Sequence, residues 1–65
     1  MKVKIETSPR QEYHFERGMK AEQLLKKLQL NPESVIVIRN QELLSPEDWI
    51  DQEDKVSIRS VISGG

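Results

Sequence analysis

The group in this sequence best suited to chemistry is the carboxyl of the last residue, Gly65. It follows Ile62, Ser63 and a second glycine, Gly64, and the alternation of polar and apolar residues over 55–59 predicts a half-buried strand just before them. Because neither glycine carries a Cβ, this end can enter a narrow active site that any side chain would obstruct. The arrangement is typical of a C-terminus used as a reagent, although glycine is also common at chain ends that merely fray.

The side chains offer little for catalysis or metal binding. The sequence has no cysteine, hence no thiolate nucleophile and no Cys-type metal site, and its one histidine, His14, has no partner ligand. The acids of segment 47–54 lack the spacing and the glycine of a calcium loop, so we interpret them as a solvated loop or as contacts for a basic partner surface. We therefore expect no catalytic residue, no bound cofactor, no metal and no enzyme activity.

Size and charge restrict the class further. A chain of 65 residues with 35% hydrophobic residues is one small domain with a modest core and no room for an enclosed pocket. The net charge of −1 argues against direct nucleic-acid binding, which usually shows as a clustered basic excess. No apolar run suggests a signal peptide or a membrane span. We expect a cytoplasmic monomer.

Periodicity in the first half predicts a hairpin followed by a helix. Residues 2–7 and 11–17 alternate as two strands joined by a turn, with Tyr13 and Phe15 pointing inward. The pattern then changes to the spacing of a helix over 19–28, ended by the proline at position 32. Its apolar stripe consists of Ala21, Leu24, Leu25 and Leu28.

The second half predicts more strands. Residues 34–39 read as a strand that is apolar on both faces, 43–44 as a short edge strand, 45–48 as a single 3₁₀-like turn, and 55 onward as the last long strand. The order β-β-α-β-(short β)-β predicts an α+β roll with a mixed four- to five-stranded sheet packed on one helix. We expect this domain to occupy residues 1–60, with a flexible tail over 61–65.

Four residues are candidates for a partner surface. A strand that is apolar on both faces offers one alternate pair to a partner, and the pattern does not say which pair; we name Ile36 and Ile38 as candidates. Ile50 fits the core better than Trp49, which would leave Trp49 partly exposed. Arg59, on the last strand, completes the set.

Several motifs together carry a family resemblance. They are the hairpin, the Ala-x-x-Leu-Leu-x-x-Leu helix, the run Glu53–Ile58 that enters the final strand, and the terminal Gly64-Gly65. Over its whole length the chain resembles the small sulfur carriers of the superfamily that includes ThiS, MoaD and the ubiquitin-related modifiers, whose fold is the ubiquitin-like β-grasp. Segments 30–35, 42–44, 47–48, 53–54 and 62–65 are similar to the carriers of tRNA 2-thiouridine synthesis in thermophiles. Glu53-Asp54 stands where many relatives have Gly-Asp, which affects the turn type only.

The resemblance implies a mechanism and a set of partners. A ubiquitin-activating-type enzyme would use ATP to adenylate Gly65, a sulfur donor of the cysteine desulfurase or rhodanese type would convert it to a thiocarboxylate, and a tRNA thiolation enzyme would withdraw the sulfur. In some relatives a lysine attacks the activated end, giving an isopeptide bond to a target protein. The alternatives are a carrier for thiamin or molybdopterin synthesis, and a non-covalent β-grasp interaction domain whose Gly-Gly end is incidental.

Overall fold

The computed structural model describes residues 1–7 and 9–61. One five-stranded sheet has the order β2-β1-β7-β4-β5, and β3 pairs with β6 in a separate two-stranded sheet. The α+β roll predicted from the sequence is confirmed, with five strands in the main sheet. The elements are β1 (Lys2–Ile5), β2 (Gln11–His14), β3 (Met19–Lys20), α1 (Ala21–Lys27), β4 (Val35–Arg39), β5 (Glu42–Leu44), β6 (Trp49–Ile50) and β7 (Lys55–Ser60).

The last strand, β7, lies in the middle of the main sheet. It runs parallel to β1 and antiparallel to β4, while β2 and β5 form the two edges. One sheet face, here called the inner face, packs against the helix. Its central residues are fully buried, among them Val3 and Ile58, together with Leu24 from α1 and Ile50 from β6. Burial of these apolar side chains supplies the main force that holds so small a domain together.

The helix is shorter than its sequence pattern predicts. The expected start at Met19 is wrong, because Met19 and Lys20 form β3 opposite Trp49–Ile50, and α1 begins at Ala21. The backbone amide of Ala21 donates to the carbonyl of Asp48 at 2.9 Å, so a distant turn satisfies one of the free amides at the helix start. The expected apolar stripe is confirmed: Ala21, Leu24 and Leu25 are buried and Leu28 packs against the core.

The helix ends before the proline that was expected to end it. The amide of Leu30 donates to the carbonyl of Leu25 at 2.8 Å, and the amide of Gln29 donates to that of Lys26 at 3.1 Å. Gln29 has a φ of 60°. These bonds form a Schellman motif, in which glutamine occupies the left-handed position where glycine is usual.

One expectation needs correction in detail and another is met. Tyr13 shares the inner face with Val3, its pairing partner, but remains 38% exposed because β2 is an edge strand. Residues 45–48 form a single hydrogen-bonded turn, as expected, in which the amide of Asp48 donates to the carbonyl of Ser45 at 3.0 Å, and no helix is assigned there.

Candidate functional site

The predicted reactive end lies just outside the described residues. Ile62, Ser63, Gly64 and Gly65 lie outside the described residues, and the strand that precedes them is β7. That strand, β7, pairs with a neighbour on each side and extends to Ser60. A central strand cannot shift without breaking two ladders of hydrogen bonds, so β7 is a rigid base for whatever follows it.

The side chains of the two residues that follow β1 bind the last residues of β7. The guanidinium Nε of Arg59 donates to the Glu6 carboxylate at 3.0 Å, and the backbone amide of Ser60 donates to the Thr7 hydroxyl oxygen at 3.0 Å. We call these four residues the tail anchor. Its members meet across 53 positions of sequence. The strand end is thus tied to β1 beyond Ile5, the last residue of β1.

The next residue is held from the other side of β7. The amide of Val61 donates to the carbonyl of Ser34, just before β4, at 3.0 Å. Val35 pairs with Ser60 in the same region. Consecutive backbone amides, those of Ser60 and Val61, therefore bond to opposite neighbours, and the backbone is fixed up to the last described residue.

The carboxyl of Glu6 responds to this contact. The hydrogen bond from Arg59 is the largest influence and lowers the pKa of Glu6 below its ordinary value of 4.5, against a smaller opposing effect of desolvation. Glu6 is therefore ionised near neutral pH and paired with Arg59. The pair is exposed, so it orients the two side chains more than it stabilises the fold.

Three of the four partner-surface candidates lie together on the face of the main sheet opposite the helix, here called the outer face. Ile36 is paired directly with Arg59, and Ile38 is paired with Leu43 of β5. The inner-face residue between the two isoleucines, Val37, is 3% exposed, whereas Ile36 and Ile38 remain partly accessible.

Leu43 is a member of this surface that sequence reasoning missed. It is 67% exposed, the highest value among the large hydrophobic side chains of residues 1–7 and 9–61. A usable signal was present, because the two-residue turn Asn40-Gln41 pairs Ile38 with Leu43 and places both on one face. We call Ile36, Ile38 and Leu43 the apolar patch.

The outer face also carries positive charge beside the apolar patch. Lys2 and Lys55 are paired with each other, and Lys4 is paired with Ser57. All three lysines are exposed, as is Arg59. Among the acids on or beside these strands, Glu12 pairs with Lys4, Glu6 bonds Arg59, and Asp54, just before Lys55, bonds Arg39. The outer face therefore combines an apolar centre with a basic flank.

Trp49 lies apart from this surface. It belongs to β6 in the small sheet, is 53% exposed, and its indole Nε1 donates to Asp51 at 3.0 Å. The partial exposure expected for Trp49, with Ile50 in the core, is confirmed. The structure does not bring Trp49 together with Ile36, Ile38 and Arg59 on the main sheet.

The acidic loop is partly occupied by contacts within the chain. The Asp54 carboxylate accepts from the Arg39 guanidinium at 3.1 Å and from the Asp51 amide at 2.9 Å, and Arg39 also donates to the carbonyl of Trp49 at 2.8 Å. Asp54 thus closes the loop onto β4, which gives it a structural role that the solvated-loop interpretation did not include.

Candidate ligands for metals are scattered. His14 lies exposed on β2, and over residues 1–7 and 9–61 no three side chains of His, Cys, Asp or Glu are grouped so as to hold a metal ion. Within the same residues, no helix has the length and apolar character to span a membrane.

Comparison with known proteins identifies the family. The sequence model of the ThiS family matches residues 3–65. The sulfur carrier protein TtuB of Thermus thermophilus is 37% identical over 65 residues, which cover all of both chains. Proteins of this kind are small carriers and not catalysts, in agreement with the expectation that the chain is not an enzyme. The chain belongs to the ThiS family and is a sulfur carrier.

Proposed function

We propose that the protein carries sulfur as a thiocarboxylate on Gly65 and donates it for the 2-thiolation of tRNA uridine. The observation that carries the proposal is the central position of β7, which is anchored on both sides through Val61 and leads directly into the Gly64-Gly65 end. The similarity to the sulfur carrier protein TtuB supports sulfur as the cargo. The tRNA pathway is the assignment drawn from the resemblance of the whole chain to the carriers of 2-thiouridine synthesis.

The chemistry requires activation, because a carboxylate repels nucleophiles. An adenylating enzyme of the ubiquitin-activating type would join the Gly65 carboxylate to the AMP portion of ATP and release pyrophosphate. A persulfide on a donor protein would then attack the acyl carbon and expel AMP, and a second thiol would cleave the resulting acyl disulfide. The products are the Gly65 thiocarboxylate and a disulfide between the two thiols, so the carrier itself supplies only the carboxyl.

The outer face is the surface we propose for docking that activating enzyme. Desolvation of the apolar patch would provide affinity, and the flank of Lys2, Lys4, Lys55 and Arg59 would favour an acidic rim on the partner. Arg59 belongs both to this face and to the tail anchor, so it would contact the enzyme and also help to hold the end of β7. Because salt screens these charges, association with the enzyme should become slower as ionic strength rises.

The decisive experiment is intact-mass spectrometry of the protein after incubation with ATP, a cognate activating enzyme and a persulfide donor. Replacement of one oxygen by sulfur at the C-terminus is the expected result. The control is a variant lacking Gly64 and Gly65, which should fold with unchanged thermal stability and gain no sulfur. An unchanged mass of the intact protein, with an enzyme proven active on another carrier, would contradict the proposal.

The acceptor of the sulfur needs a separate test. Deletion of the gene should abolish 2-thiouridine in digested tRNA, measured by nucleoside mass spectrometry, while growth without thiamin and molybdoenzyme activity persist. Loss of one of the latter two, with 2-thiouridine intact, would reassign the carrier to that pathway. Attack of a lysine on the acyl adenylate would appear in wild-type cells, and not in the deletion strain, as an isopeptide-linked Gly65 on target proteins.

A further inference from the structure

We propose that the depression beside Trp49 binds an arginine side chain of the enzyme that receives the sulfur. This depression, here called the Trp49 site, is lined by Gly18, Trp49 and residues 51–54. It combines an aromatic ring with carboxylates, and both kinds of group attract a guanidinium. The choice of partner rests on the proposed function, whereas the chemistry of the site stands without it.

The indole of Trp49 is exposed and yet held in place. It is 53% accessible, its Nε1 donates to Asp51 at 3.0 Å, and the Trp49 carbonyl accepts from Arg39 at 2.8 Å. A Cβ at Gly18 would lie 3.1 Å from Cζ2 of the indole, so the ring rests against a residue that leaves room for it. A side chain that is already fixed loses little conformational entropy on binding, and tryptophan is enriched among the residues that dominate binding energies. The ring is therefore suited to be a preformed anchor.

The carboxylates of the Trp49 site carry negative charge that the chain neutralises only in part. Asp54 is paired with Arg39. Asp51 accepts from the indole N–H, which is a neutral donor, and Glu53 is exposed and forms no ion pair over residues 1–7 and 9–61. Two negative charges are thus available to a cation that lies against the ring.

Arginine suits this combination better than lysine does. Its planar guanidinium stacks on an aromatic face while its donors reach a carboxylate at the edge, whereas the ammonium of lysine is a compact and strongly hydrated charge. Lys20 pairs with Trp49 across the small sheet but is not among the residues that line the depression. The depression itself is therefore open to a side chain from a partner.

The position and charge of the Trp49 site favour the receiving enzyme over the activating enzyme. The loop of residues 51–54 lies just before β7 and the reactive end follows β7, whose six residues span about 20 Å. The outer face is basic and requires an acidic partner surface, whereas the Trp49 site is acidic and requires a basic one. An enzyme that acts on tRNA needs arginine and lysine side chains to contact the phosphate backbone. Such an enzyme therefore matches the Trp49 site.

The first test uses a blocked arginine, N-acetylarginine methylamide, and its uncharged isostere, the corresponding citrulline derivative. Trp49 is the only tryptophan in the sequence, so its fluorescence and its indole N–H resonance report on this site alone. We expect the arginine derivative to change both signals saturably and the citrulline derivative to leave them nearly unchanged.

A pair of variants separates the site from a general effect of charge. Glu53→Gln should weaken binding of the arginine derivative about two- to fivefold, as expected for the loss of one exposed ion pair. Glu33→Gln removes the same charge from the segment between α1 and β4 and should leave binding unchanged. The absence of a saturable response, an equal response to citrulline, or equal weakening by both variants would overturn the site.

The second test concerns the partner and uses isothermal titration calorimetry. Trp49→Ala should raise the Kd for the tRNA thiolation enzyme about tenfold and change the Kd for the activating enzyme by less than about twofold. Glu53→Gln leaves the core intact and should raise the Kd for the thiolation enzyme about two- to fivefold. Wild-type affinity of both variants for the thiolation enzyme, or a loss confined to the activating enzyme, would overturn the choice of partner. Failure of Gly65 to acquire sulfur would instead overturn the proposed function and leave the arginine site standing, because the first test involves no enzyme.

Discussion

Leu43 offers a direct test of the docking face because its neighbour Leu44 provides a matched control. The two leucines are adjacent on β5 but lie on opposite faces of the sheet. Leu43 pairs with Ile38 on the outer face and is 67% exposed, whereas Leu44 pairs with Val37 and packs against the core. Leu43→Ala therefore removes surface that a partner would cover, and Leu44→Ala removes surface already buried within the domain.

The expected magnitude follows from the exposed fraction of Leu43. Complete burial of a leucine side chain is worth about 1.5–3 kcal/mol. Since 67% of the residue is accessible in the free protein, covering it would contribute roughly two thirds of that value, about 1–2 kcal/mol. A tenfold change in Kd corresponds to about 1.4 kcal/mol, so Leu43→Ala should raise the Kd for the activating enzyme about five- to thirtyfold.

Leu43→Ala should lose affinity for the enzyme but not stability, whereas Leu44→Ala should lose stability but not affinity. Leu43→Ala should leave the free energy of unfolding within about 0.5 kcal/mol of the wild-type value. Leu44→Ala should lower it by about 1–2 kcal/mol, less than a fully buried leucine would, yet bind the enzyme with the wild-type Kd when folded. Urea denaturation and isothermal titration calorimetry measure the two quantities. Wild-type affinity of Leu43→Ala, or equal affinity losses in both variants, would refute the docking face.

Three further predictions concern the fold and the anchor. Gln41→Gly should raise the free energy of unfolding by about 0.5–1 kcal/mol. Gln41 has a φ of 68°, and glycine relieves this left-handed strain at a smaller cost in chain entropy. Urea denaturation measures the gain, and the control Gln41→Ala should show none. Gly18→Ala should destabilise by about 1–3 kcal/mol, since its Cβ would lie 2.6 Å from the carbonyl oxygen of Ile50; an unchanged melting temperature would contradict this. The lowered pKa of Glu6 means that the folded state binds its proton less tightly than the unfolded state, so the stability contributed through Arg59 is complete above pH 4.5 and is lost as the pH falls below that value; Glu6→Gln should flatten this part of the stability–pH curve.

The elements that could be predicted are those specified by local pattern. Alternation predicted the hairpin, and the helical stripe predicted which face of α1 is buried, because each depends on residues close in sequence. The start of α1 could not be predicted in the same way. Met19 and Lys20 form β3 because a distant segment, Trp49–Ile50, lies beside them, and this tertiary pairing overrides the local helical spacing.

In the candidate site, too, the features set by nearby residues could be predicted and those set by distant residues could not. The position of Leu43 follows from the two-residue turn at Asn40-Gln41 and was accessible to sequence reasoning. The contacts of Glu6 and Thr7 were not, because they join residues 53 positions apart. They depend on the register of the parallel pair β1–β7, which no hairpin turn fixes.

The central position of β7 explains how so small a domain can present its own end. An edge strand would expose unpaired backbone groups and could peel away with the tail when a partner pulls on it. β7 instead contributes Val56 and Ile58, at 3% and 0% exposure, to the core and is paired on both sides. Displacing it would require unfolding the domain. Within the described residues, a pull on the C-terminal end would therefore first strain the contacts of the tail anchor and the Val61–Ser34 hydrogen bond, which can break without loss of the fold.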